Sequence, residues 1–226
     1  PIRQNQLVAR KQTLDQLAER IANLEQPHPV RVGIDGIENS GKTILADELA
    51  PQIESRGRHV IRATVDLFHA PRAVRYRQGR ESAQGYYEDS FDYEKFKDRL
   101  LAPLGPNGDR RYRRAALDWA TDEAIDAPEE VAPDDAILLV DGIFLLRPEL
   151  VDNWDYRVFV HTDFDKAIER ALRRDTRSFG SADNIRRLYS RRYHPAQRTY
   201  LEQVQPHTEA DVIIDNNDPA EPKLIF

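Results

Sequence analysis

The chain has 226 residues, 40% hydrophobic and 32% charged, enough apolar material for one α/β domain with a substantial core. Its 33 basic against 39 acidic residues give a formal charge of −6, which excludes holding nucleic acid by overall charge, so any polyanion site has to be local. The absence of cysteine excludes disulfides and thiol catalysis; with no apolar run near about 18 residues and no signal-peptide pattern, a soluble cytoplasmic protein without a membrane partner is expected.

Leu7, Leu14, Leu17, Ile21 and Leu24 recur at helical spacing among polar residues, predicting an amphipathic helix within residues 1–26, ahead of Pro27 and Pro29. Its apolar stripe suits core packing and would serve a homo-oligomer as well. The apolar run Val30 to Ile34 predicts a strand. After it come Gly36, four residues and Gly41-Lys42-Thr43, the spacing of a phosphate-binding loop. The glycines allow positive φ and a close backbone approach to polyphosphate. Amides at the start of the next helix face the anion, Lys42 adds a compact charge, and Thr43 offers a hydroxyl to Mg²⁺. Gly36, Glu38, Asn39, Ser40, Gly41, Lys42 and Thr43 are therefore the expected nucleotide-binding residues, with Glu38 an unusual negative charge beside phosphates.

The loop helix runs toward Arg56 and stops at Gly57. His59 to Val65 predicts a second strand that delivers Asp66 at its C-terminal end, the edge where ligands gather in open parallel sheets. Leu67 to Ser90 lacks periodicity and is basic and aromatic, the character of a functional segment. Asp92 to Leu101 predicts a helix, Arg111 to Trp119 an extended piece, and Thr121 to Asp135 a loop. Ala136 to Val140 is a continuous apolar run, the mark of a strand buried on both faces, and it ends in Asp141-Gly142. A strand over Tyr156–Val160, a helix over Asp163–Asp175, a broken helix over Asn184–Val204 and a strand over Asp211–Ile214 complete the chain. Strands alternating with helices imply an α/β, three-layer, doubly wound parallel sheet, here in one domain over residues 1–226.

Four landmarks occur in order: Gly36 to Thr43; Asp66-Leu67-Phe68; Asp141-Gly142-Ile143; and Arg170-Ala171-Leu172-Arg173-Arg174-Asp175 ahead of Tyr189, Pro195 and Asp211-Val212-Ile213-Ile214. In this set the chain resembles the uridine kinase family of phosphate-loop kinases, near its phosphoribulokinase and pantothenate kinase branches. The resemblance covers most of the chain. It implies the P-loop nucleoside triphosphate hydrolase fold and transfer of the γ-phosphoryl group of ATP to a small-molecule hydroxyl, as in uridine or cytidine going to UMP or CMP. It further implies Asp66 as general base, Thr43 with Asp141 as Mg²⁺ ligands, and a lid over residues 170–190. There Arg170 and Arg173, with Lys42, act on the transferring group, while Arg174 and Arg177 hold nucleotide phosphates.

Residues 67–126 form the expected acceptor-binding insertion, with Phe68, Arg75, Tyr76, Tyr87 and Trp119 as candidate acceptor contacts and core burial as the aromatics' alternative role. Here the chain departs from the family. Tyr87 stands where an aspartate usually holds ribose hydroxyls, Leu117-Asp118-Trp119 and Asp122 replace a Tyr-Asp-Phe and His pair, and Leu188 replaces a glutamine. The arginines at 72, 75, 77 and 80 therefore suggest a second candidate acceptor, an anionic alcohol. A nucleotide-binding regulatory protein is the non-catalytic alternative.

Overall fold

The computed structural model describes residues 2–174 and 181–225, with side chains from residue 8 onward. Its central sheet has six strands: β1 (Val30–Gly36), β2 (Val60–Thr64), β7 (Ile137–Gly142), β8 (Tyr156–His161), β9 (Val212–Asp215) and β10 (Lys223–Ile225). The order is β10-β9-β8-β1-β7-β2, parallel throughout except for β10, which runs antiparallel to β9. β1 and β7 are buried along their whole length; Ile137–Val140 of β7 accordingly reads as a continuous apolar run, while β1 also buries Arg31 and Asp35.

Side chains alternate across the sheet and feed two layers. On one face, Val32, Ile34 and Leu139 pack with Leu17 and Ile21 of α1 (Ile2–Ala22) and with Leu49 and Ile53 of α2 (Lys42–Glu54). The apolar stripe of α1 is thus part of the core. On the other face, Leu138 and Val140 meet Phe68, Phe96, Leu100, Phe144 and Trp154. Gly33 is small for a packing reason, since a Cβ there would stand 2.7 Å from Cδ2 of the Trp154 ring.

The segment expected to be irregular holds two short helices, α3 (Arg72–Arg75) and α4 (Ala83–Asp89), the latter capped by Ser82 Oγ, which accepts from the Gly85 amide at 2.9 Å. Helices of four and seven residues are too short for a 3.6-residue repeat to stand out. Next come α5 (Tyr93–Phe96), which continues as a π-helical stretch over Lys97–Leu101, and two antiparallel ladders of two-residue strands. These join β3 (Arg111–Tyr112) to β6 (Glu130–Val131) and β4 (Leu117–Asp118) to β5 (Glu123–Ala124). After β8 follow α6 (Phe164–Arg174), α7 (Ala182–Leu188), a π-helical stretch over Tyr189–Tyr193 and α8 (His194–Val204). No helix among the described residues is long and apolar enough to cross a membrane.

Register brings the expected groups together. Asp141 lies level with Ile34 of β1 and Thr64 of β2, so Gly36, Asp66 and Asp141 share the C-terminal edge of neighbouring strands. The chain moves from β1 to one side of the sheet and from β8 to the other, so the strand order reverses beside the phosphate loop, the place where such sheets open a crevice.

Candidate active site

The loop between β1 and α2 turns through Asn39 and Gly41, with φ of 57° and 96°. A side chain at 41 would also collide with Asn216, whose Nδ2 would be 2.5 Å from the new Cβ. Asn216 is buried and its Nδ2 donates to the Ser40 carbonyl at 2.6 Å. Lys42, 7% exposed, curls back so that Nζ donates to the Ile37 carbonyl at 2.8 Å. At the head of α2 the Thr43 hydroxyl donates to Asp141 Oδ2 at 2.5 Å, and Arg62 holds the other Asp141 oxygen at 3.0 Å.

These groups line a cleft of about 270 Å³ floored by the loop, Asp66, Asp141, Arg170 and Arg174. The oxygen pair of Thr43 and Asp141 suits a hard cation. Among the described residues no group of three or more His, Cys, Asp or Glu could hold a metal alone. A Mg²⁺ ion held by this pair would need further oxygens, such as those of a nucleotide phosphate, to fill its shell.

A second cleft of about 350 Å³ opens on the other side of Asp66, and Glu38, Asp66 and Arg174 line both. Its remaining wall includes His69, Arg75, Tyr76, Tyr86, Trp119 and Arg192. Asp66 is open to solvent through these clefts, yet protein surrounds the rest of its carboxyl. Its pKa is raised from 3.8 to about 7, mainly by burial and next by the charges of Glu38 and Asp141, with Lys42 and Arg174 opposing them. A carboxylate tuned to that range can accept a proton from a hydroxyl near neutral pH.

Glu38 accepts the Tyr86 hydroxyl proton in a short hydrogen bond. Burial holds the Tyr86 phenol well above its ordinary pKa, so it remains a donor. His69 presents Nδ1 to the Asp66 carbonyl at 2.7 Å. A carbonyl only accepts, so Nδ1 carries the proton. Burial, with the charges of Arg75 and Arg192, lowers the His69 pKa to about 4, so the ring is neutral at neutral pH.

Several expected contacts fall elsewhere. Phe68 is fully buried and packs on Phe96 at 5.1 Å between ring centroids, a core residue rather than an acceptor contact. Tyr87 lies against Phe144 and under Arg147, with centroid distances of 5.2 and 4.7 Å, and its helix neighbour Tyr86 lines the cleft instead. Arg173 has an 82% exposed side chain beside Glu169 and lines neither cleft.

Arg170 donates to the carbonyls of Asn39, Ser40 and Asn217, each at 3.2 Å, and to that of Asn216, so it braces the loop from behind. Arg174, one turn further along α6, faces both clefts. Arg177 lies outside the described residues. Of the basic tract only Arg75 reaches the second cleft, while Arg77 pairs with Asp89. Arg192 and Tyr193 of that wall were not legible in the sequence, and Tyr189 stood there only as a landmark; two tyrosines four apart beside arginines were the signal.

No protein-family model matches the chain. It is 28% identical over 187 residues to a uridine kinase of Staphylococcus aureus, covering 81% of this chain and 86% of that one. Its fold matches a possible uridine kinase from Bacillus stearothermophilus with a TM-score of 0.70 at 24% identity, over 90% of this chain and 97% of the other. A D-glycerate 3-kinase from Cryptococcus neoformans matches with a TM-score of 0.57 at 15% identity, over 85% and 88% of the two chains. By sequence the chain is similar to a uridine kinase, and its fold is that of the phosphate-loop kinases.

Proposed function

We propose that this protein transfers the γ-phosphoryl group of ATP to a hydroxyl of a small molecule seated in the second cleft. The observation that carries this reading is the position of Asp66, which lines both clefts with a pKa near 7. In the reaction the acceptor oxygen bonds to the γ-phosphorus, the bond from that phosphorus to the β–γ bridging oxygen breaks, and the hydroxyl proton passes to the Asp66 carboxylate. Loop amides and Lys42 orient the triphosphate, and Arg174 stands where charge on the transferring group needs a cation. Thr43 and Asp141 would hold the Mg²⁺ that accompanies the nucleotide. When bound, that ion neutralises phosphate charge. Of the expected lid, Arg174 and Tyr189 line the second cleft, where they would help to exclude water from bound substrates.

Uridine and cytidine are the first acceptors to assay, because the Staphylococcus aureus relative bears the uridine kinase name. The test is ADP release from Mg-ATP with a panel of neutral and anionic alcohols, with product mass confirming a gained phosphate. Tight nucleotide binding without any phosphorylated product would replace the kinase reading with that of a nucleotide-binding regulatory protein.

A further inference from the structure

The wall of the second cleft contains two buried guanidinium groups. Arg75 is 4% exposed; its Nη2 donates to the Trp119 carbonyl at 3.1 Å and to Asp122 at 3.0 Å, while its buried Nε has no hydrogen-bond partner. Arg192 is also 4% exposed; Nη1 donates to the Arg80 carbonyl at 2.7 Å, and no carboxylate among the described residues pairs with it. Both guanidiniums pack on the Tyr76 ring, 5.6 and 5.0 Å from its centroid, and Arg192 also lies 4.9 Å from the Tyr86 centroid.

Buried arginines are ordinarily paired, and a buried donor without an acceptor is costly. Aromatic faces offset part of the charge without satisfying the N–H groups. Of the nearby acids, Asp122 meets only Nη2 of Arg75, and Glu38 already accepts from Tyr86. The unmet capacity is that of an anion receptor, on the same wall that presents the candidate base.

We infer that the acceptor carries an anionic group, a carboxylate or a phosphate ester, bound by Arg75 and Arg192 while its hydroxyl reaches Asp66. This rests on the kinase reading for the role of the cleft, but the binding it requires is measurable without turnover. A neutral nucleoside would bring no anionic partner to either guanidinium, whose present acceptors occupy only Nη2 of Arg75 and Nη1 of Arg192, and a site built for polar groups discriminates against ligands that lack them.

The test fills the phosphate loop with a non-hydrolysable Mg-ATP analogue and titrates matched alcohols: glycerol, glycerate and glycerol 3-phosphate; ribose and ribose 5-phosphate; and uridine. Calorimetry reads the affinity. The expected result is that an anionic member binds at least about tenfold more tightly than its neutral partner. Arg75→Gln or Arg192→Gln should reduce that preference about ten- to a hundredfold, the loss of a charge-assisted hydrogen bond. Arg192→Lys should retain part of it, and analogue affinity should stay as in the parent, which verifies folding. Glycerate against glycerol 3-phosphate distinguishes carboxylate from phosphate.

Equal affinity for neutral and charged members, a preference that survives both substitutions, or no anion binding overturns the inference. Anion binding without phosphorylated product would retain the inference and discard the kinase reading. Turnover of uridine unaffected by Arg192→Gln would do the reverse.

Discussion

The Tyr86 hydroxyl donates to the Glu38 carboxylate, tying the acceptor-side helix α4 to the phosphate loop at the boundary between the two clefts. Glu38 is also one of the charges that raise the Asp66 pKa. Glu38→Gln removes that charge, so the acidic limb of kcat/KM against pH moves to lower pH. An unmoved limb would separate Glu38 from the base. Tyr86→Phe leaves a part-buried carboxylate without its donor and is expected to cost about 1.5–3 kcal/mol in urea unfolding.

Asp66 titrates near pH 7 in the folded chain against 3.8 for an ordinary aspartate. The proposed base must be deprotonated, so kcat/KM should rise through about pH 7. For stability the sign is opposite. The folded state holds the proton more tightly than the unfolded chain, so the contribution of Asp66 falls as pH climbs from 3.8 through about 7. Asp66→Asn should therefore lower turnover about a hundredfold or more, while raising Tm near pH 8 and leaving it almost unchanged near pH 4. A mutant melting below the parent near pH 8 would contradict this account of burial.

Arg170 and Arg173 are three residues apart on α6 and have different surroundings. Arg170→Lys loses the forked donor that joins Asn39, Ser40, Asn216 and Asn217, so it should destabilise the fold by about 1.5–3 kcal/mol and weaken ADP binding. Arg173→Ala should change stability by no more than about 0.5 kcal/mol, as surface substitutions do, and leave ADP affinity alone. Urea unfolding and nucleotide titration of both variants check the contrast.

Gly33→Ala places a methyl group 2.7 Å from the Trp154 ring, within a strand that cannot shift without moving the phosphate loop. Overpacking of this kind costs about 1–3 kcal/mol, and thermal unfolding reads it directly.

What the sequence by itself determined is the local part: the five parallel strands of the central sheet, the phosphate loop, and Asp66 and Asp141 at the C-terminal edge. Each is a short-range pattern; β10 and the short ladders were not legible there. A strand buried on both faces is a run of apolar residues, and an anion loop requires glycines at set intervals. Which neighbouring side chain faces a cleft is not a local property, because one residue along a helix turns about 100°. Tyr86 and Tyr87 differ only by that turn, and docking of α4 against Phe144 and Tyr200 decided between them. Phe68 lies two residues after Asp66, yet the layer formed with Phe96 draws it into the core. The second cleft joins Arg75 to Arg192, far apart in the chain, around Tyr76. Only tertiary packing could choose these partners, since burial and charge pairing depend on what lies across the space.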